Sequence, residues 1–216
     1  MKPSRQARRA MNEALPCANP RCRKNRHTFS RFCSTCTSKF LLYGSPNGRA
    51  IPRREYVREV EEVSTLLDAN GDHPGLQAAL REIESFLMWC NNRPDVEGAT
   101  TVSGLGYSEN VTTMRILKEV CGFTLYWHRN SDRYPGDTDF AHVLGYRILA
   151  LNPSEMVVSR TTGKRYRKLA GKQARVLAGS GIYERIKPFV VNVLTTCKNK
   201  EKRNNEREEA FKAPLR

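Results

Sequence analysis

The chain lacks any long apolar run, and no stretch approaches the roughly 18 residues that a membrane-spanning helix requires. The basic opening MKPSRQARRAMNEALP also lacks the apolar core of a secretory signal, so a soluble cytoplasmic protein with no membrane partner is expected. Histidine is scarce. His27, His73, His128 and His142 are scattered, and they form no grouping of a general base beside metal-binding histidines. No glycine loop suits a phosphate: SGLGYSEN (103–110) has neither the spacing nor the lysine of a P-loop, and GSG (179–181) reads as a turn rather than a nucleophile elbow. The three acids in SDRYPGDTD, Asp132, Asp137 and Asp139, have the chemistry to hold Mg²⁺, but such a cluster is more often a turn with a helix cap. An enzyme is therefore not expected.

Acids are heavily outnumbered at both ends. Residues 1–58 carry 14 Lys and Arg against 2 acids, and residues 158–216 carry 16 against 5. The centre, 59–157, is the reverse, with 7 basic residues and 15 acids. The net charge is +15 over 216 residues, with a pI near 9.8. A surplus of this size attracts polyanions by counterion release, which makes nucleic acid, DNA or RNA, the expected partner. An apolar content of 39% at a mean hydropathy of −0.61 leaves enough for a folded core.

Seven cysteines are present, and four of them fall within PCANPRCRKNRHTFSRFCSTC. Cys17, Cys22, Cys33 and Cys36 follow the pattern C-x4-C-x10-C-x2-C. Two close pairs, each on a tight turn, with a hairpin's length between them, are what a tetrahedral Zn²⁺ site needs. Four thiolates suit zinc better than harder cations, and four protein ligands close the site, so its role would be structural. The bland alternatives are four free thiols in a flexible tract, two disulfides, or His27 replacing one cysteine. Cys90, Cys121 and Cys197 lie alone in apolar helical patterns and read as core residues.

CANPRC followed by RFCSTCTSKFLLYGSPNGR resembles the small zinc-binding head of phage and bacterial HNH-family endonucleases and related phage DNA-binding proteins. The resemblance covers about residues 16–50. It implies a treble-clef-like fold with the second ligand pair opening the helix in CSTCTSKFLLYG. Cys36 stands where that family usually has histidine, and YGSP (43–46) where it has a GDP-like ending. The catalytic histidine grouping of the family has no counterpart here, so the resemblance carries a binding head without the nuclease.

Around the cysteines lie Arg21, Arg23, Lys24, Arg26, Arg31 and Lys39, with His27, Phe29 and Tyr43 interleaved. A second patch comprises Arg160, Lys164, Arg165, Tyr166, Arg167, Lys168, Lys172 and Arg175. Arginine and lysine at this density neutralise phosphates, and aromatics among them stack on unpaired bases. A solvated face or a dock for an acidic protein surface is the competing reading.

The expected architecture is mainly α: a basic flexible or weakly helical arm at 1–16, a small four-cysteine zinc module, treble-clef or ribbon-like, at 17–52, a helical domain at 53–197, and a charged tail at 198–216. Periodicity places helices on Tyr56–Leu67 and on Leu76–Leu87 after His73-Pro74, with a loop at 95–110. A third helix is expected from Ser108 with Gly122 past its end, followed by a short helix or buried strand in FTLYWHRN and a further helix capped at Asp137 or Thr138. Thr162-Gly163 marks a turn between a β-like run and a basic helix, and Pro188 marks a kink or restart in the last apolar helix. The expected function is DNA or RNA binding as a phage or mobile-element regulator or accessory factor. The rival is a factor that grips a host transcription or translation machine.

Overall fold

A computed structural model describes residues 3–133, 139–152, 156–158, 163, 165–167 and 170–212. Cys33 and Gly44 bracket the helix of the cysteine module, Ser34–Tyr43 (α2). The Cys33 side chain caps its start, and Gly44, at φ 74°, closes its end in the left-handed conformation. Ahead of it, Arg5–Glu13 forms a helix (α1) capped by Ser4. Of the arm expected at 1–16 as flexible or weakly helical, residues 5–13 form this helix. It is tied down by Asn12, whose Nδ2 donates to the carbonyls of Thr28 and Ser30.

Val57–Asp68 (α3) and Pro74–Asn91 (α4) fall where the periodicity places them. His73 caps α4, its ring nitrogen accepting from the Gly75 amide, and Pro74 occupies the first turn where its missing N–H is harmless. The expected loop at 95–110 contains a short helix, Ala99–Ser103 (α5), and a 3₁₀ turn, Gly104–Tyr107, because Ala99, Val102 and Leu105 are drawn into the core. Next comes Thr113–Arg129 (α6), capped by Thr112 rather than starting at Ser108. It runs straight through Gly122. A Cβ there would lie 2.6 Å from Val60 Cγ2 and 2.7 Å from its Cα, so this glycine lets α3 and α6 touch backbone to backbone and does not end a helix. Every residue from Glu119 to Tyr126 is buried, which makes α6 the central helix, enclosed by α3, α4 and the two helices that follow.

Those two are Phe140–Leu149 (α7), capped by Asp139, and Lys172–Lys212 (α8). Between them Met156–Val158 (β1) and Arg165–Arg167 (β2) pair antiparallel, with Val157 opposite Tyr166 and Gly163 at φ 67°. The basic run after the turn is therefore strand before it is helix. GSG at 179–181, read as a turn, lies inside α8. A Cβ on Gly179 would sit 1.8 Å from the Ala141 carbonyl oxygen, and one on Gly145 1.7 Å from that of Arg175, so α7 and α8 cross with their backbones in contact. Pro188 is also inside α8, and the charged stretch from 198 continues the helix to Lys212. The packing of Ile182, Ile186, Val190 and Leu194 outweighs the hydrogen bond that proline removes. The architecture is mainly helical, a four-cysteine cluster followed by helices.

Two apolar clusters form. The large one joins α3 to α8, and the small one holds Cys17, Phe32, Cys33 and Cys36 with Cys22 and Phe40 against it. Cys90, Cys121 and Cys197 are buried in the large cluster, as their surroundings in the sequence imply. Among the described residues no helix is long and apolar enough to cross a membrane.

Candidate metal centre

The first cysteine pair is held by a knuckle. The Cys17 amide donates to the Lys24 carbonyl, the Cys22 amide to the Asn19 carbonyl, and Pro16 and Asn25 form an isolated antiparallel bridge. The second pair opens α2, Cys33 as its cap and Cys36 in its first turn, the placement implied by the resemblance. All four sulfurs lie within 4.8 Å of one another. A tetrahedron with metal–sulfur bonds of about 2.3 Å has edges near 3.8 Å. Cys22 Sγ and Cys33 Sγ are 3.7 Å apart, so this pair is at ligand spacing.

The sulfurs accept hydrogen bonds from their surroundings. The Cys33 amide donates to Cys17 Sγ at 3.3 Å and the Cys36 amide to Cys33 Sγ at 3.4 Å. The buried side chain of Asn19 donates to Cys36 Sγ at 3.3 Å and to Asn47 Oδ1 at 2.8 Å, which ties the knuckle to the helix and to the loop behind it. Donors of this kind orient and stabilise anionic ligands. Burial pushes the Cys36 thiol up to about 12, with its three neighbouring thiols adding to the effect. Cys33 is buried too, but the Cys36 amide and the surrounding thiols bring it down to about 7. A divalent cation held here would supply the charge for all four to ionise together. His27 is exposed and outside the sulfur cluster. The four sulfurs are unbridged, and the donor set fits a metal ion.

The basic residues around this centre differ in availability. Arg21, Arg23, Lys24, Arg31 and Lys39 are exposed, and Arg26 is half-buried, donating to the Pro16 carbonyl and to Asn12 Oδ1. The Arg31 guanidinium lies 4.7 Å from the Phe32 ring centroid. In α1, Arg5, Arg8 and Arg9 are exposed as well, and they extend the basic surface beyond the residues singled out by sequence.

Of the second patch, only Lys172 and Arg175 have described side chains. Arg160, Lys164 and Lys168 lie outside the described residues, and of Arg165, Tyr166 and Arg167 only the strand backbone is described. Lys172 is half-buried with Nζ 4.2 Å from the Phe40 ring centroid. Arg175 requires correction: it is 3% exposed, and its guanidinium donates to the carbonyls of Leu41 and Leu42 at 3.0 and 3.1 Å. It fills the unsatisfied C-terminal end of α2 from α8 and so fastens the cysteine module to the helical body. It also donates to His142 Nε2 at 3.3 Å, which requires a neutral acceptor ring, and burial followed by this cation holds the His142 pKa below its ordinary value.

Of the three acids, Asp139 caps α7 by accepting from the His142 amide at 3.1 Å, and Asp137 lies outside the described residues. One polar cluster escaped the sequence reading. Glu119, 1% exposed on α6, accepts from the Tyr56 hydroxyl, and Arg147 Nε and Arg53 Nε lie 3.7 and 3.5 Å from its carboxylate. Burial, then the Glu119 charge, raises the Tyr56 pKa, so Tyr56 remains a donor. The available signal was a lone acid between Ile116 and Phe123, on the same apolar stripe. Comparison with protein-family models, curated proteins and solved structures gives no significant match for this chain.

Proposed function

We propose that the chain is a zinc-stabilised nucleic-acid-binding protein, acting as a phage or mobile-element regulator or accessory factor. The observation that carries this reading is the charge around the four-sulfur site. Within residues 1–58 the two acids are already engaged, Glu13 by Arg9 and Glu55 by Arg49, while Arg23, Lys24 and Lys39 are exposed in the cysteine module. Four thiolates on one divalent ion leave a net negative centre, which a few of the surrounding cations balance. Zinc fits better than a harder ion because the donors are all sulfur and lie within 4.8 Å of one another. The metal fixes the local fold, and the arginines and lysines engage phosphates. The likeness to the binding head of HNH-family proteins agrees with this division of labour, and the scattered histidines keep the reading on binding rather than cleavage.

The test is the affinity of the full chain for labelled duplex and single-stranded DNA and RNA, measured between 50 and 200 mM salt. Neutralising several phosphates predicts a loss of about a hundredfold or more over that range. Affinity that stays flat with salt, or no binding to any of the four, removes the proposal. One observation favours the reading of a factor that grips a host transcription or translation machine. Met88 and Tyr107, 67% and 71% exposed, share a shallow apolar pocket on the acidic central part of the chain. Salt-insensitive binding to a protein would be its sign.

A further inference from the structure

The cysteine module has three phenylalanines, and only two of them have packing work. Phe32 and Phe40 pack around the sulfurs with their rings 5.5 Å apart. Phe29 belongs to neither apolar cluster and is 54% exposed. Its position is nonetheless fixed. The preceding residue, Thr28, is the one described non-glycine residue at positive φ, 50°, a conformation that a β-branched side chain avoids. Helix α1 holds it there from both sides of the peptide, Asn12 Nδ2 donating to its carbonyl at 2.8 Å and Glu13 accepting from its amide at 3.1 Å. Phe29 is thereby set beside the first turns of α1. An open cavity of about 400 Å³ lies between them, lined by Arg5, Gln6, Arg9, Thr28 and Phe29.

The chemistry of this cavity is a flat apolar face with positive charge over it. The Arg5 guanidinium is 5.8 Å from the Phe29 ring centroid. Glu13 is the only acid of α1, and its carboxylate is occupied by Arg9 and the Thr28 amide. A ligand matched to this site presents a planar π-face and carries phosphate beside it. In a duplex those faces are covered by stacking, whereas an unpaired base exposes them.

We propose that Phe29, flanked by Arg5 and Arg9 on α1, is a stacking platform for an unpaired base of single-stranded nucleic acid. The inference rests on the reading of the chain as a nucleic-acid-binding protein and specifies where a strand's base sits. Phe29 contributes the stacking face, the two arginines contact the adjoining phosphates, and the α1 clamp on Thr28 keeps the platform from collapsing onto the module.

The experiment uses the full-length protein expressed with zinc, a fluorescein-labelled 12-nucleotide single strand as DNA and as RNA, and a 16-base-pair duplex. Phe29→Ala is expected to weaken single-strand binding about tenfold or more, the scale of one lost stacking contact. Duplex binding should change less than twofold. Phe29→Trp should keep single-strand affinity and show tryptophan fluorescence that is quenched on binding, beyond any change in the parent protein. Equal losses on single strand and duplex, no loss on the single strand, or an unquenched Phe29→Trp each overturn the platform while the parent still binds. Failure of the parent to bind any oligonucleotide overturns the functional reading and the platform with it.

Discussion

Arg175 shows how one side chain changes meaning between a sequence and a fold. In the run GKRYRKLAGKQAR it is one more cation in a basic tract. In the structure it is buried at the seam between α2 and α8, bonded to two carbonyls and His142, and 5.5 Å from the Tyr146 ring centroid. Arginine tolerates this because its charge survives burial, and its fork reaches acceptors that water would otherwise satisfy. Replacing it removes the side-chain donor from two carbonyls at the end of α2. Arg175→Ala is expected to destabilise the protein by about 2–4 kcal/mol, read from the shift of the denaturant midpoint. The oligonucleotide affinity of the variant, measured where it is still folded, should match the parent within about twofold, against the tenfold loss expected of a phosphate contact in a charged groove. An affinity loss without a stability loss would return Arg175 to the binding surface. The cysteines behaved differently because their spacing is local: C-x4-C and C-x2-C determine which sulfurs converge without reference to the rest of the chain. What covers an arginine is decided by a helix more than a hundred residues away, and no local pattern records that.

At the scale of elements, the same contrast separates what periodicity shows from what close packing hides. Helices α3 and α4 were legible because their apolar stripes repeat at helical spacing and His73-Pro74 punctuates them. Gly122, Gly179 and Gly181 misled, because glycine as a local signal means a turn or a helix end. Here Gly122 and Gly179 are the points where two helices meet with no side chain between them, and at Gly181 a Cβ would come within 2.4 Å of the Phe86 ring. Glu119 was missed for a related reason, since an acid in a helix reads as surface until Tyr56, Arg53 and Arg147 arrive from other elements to surround it. The α7–α8 crossing is the sharpest case to test. Gly179→Ala places a methyl on the Ala141 carbonyl oxygen and forces the helices apart, at a cost of about 3 kcal/mol. Gly104→Ala is the control: nothing lies within 4 Å of that position and its backbone is already helical, so the change should shift stability by less than about 1 kcal/mol. Thermal unfolding of the two variants, side by side, measures the difference. Equal shifts would mean that the helices do not cross as closely as the structure shows.

Across the whole molecule, two cores of very different size are joined through one seam. The small one has only Phe32 and Phe40 around its sulfurs, too little apolar surface to hold a fold by itself. The large one runs from α3 to α8 and needs no metal. Removing the metal should therefore unfold one part and spare the other. With a strong chelator, the knuckle and α2 lose their anchor while α6 and its neighbours keep theirs. Far-UV circular dichroism should fall only by the contribution of the short α1 and α2, and hydrogen exchange should quicken across residues 5–48 while the amides of α6 stay protected. Oligonucleotide affinity should drop in step, because the exposed arginines would no longer be held as one surface. Elemental analysis of the untreated protein should give one zinc per chain, and adding zinc back should restore both the exchange protection and the binding. Protection of residues 5–48 that survives chelation would show that the sulfurs are not metal ligands, and uniform loss across all helices would show that the two cores are a single cooperative unit. The seam decides between these outcomes, since Arg175 and Lys172 reach from α8 to the carbonyls and the Phe40 ring of α2. If their contacts outlast the metal, the end of α2 should stay docked while the knuckle opens.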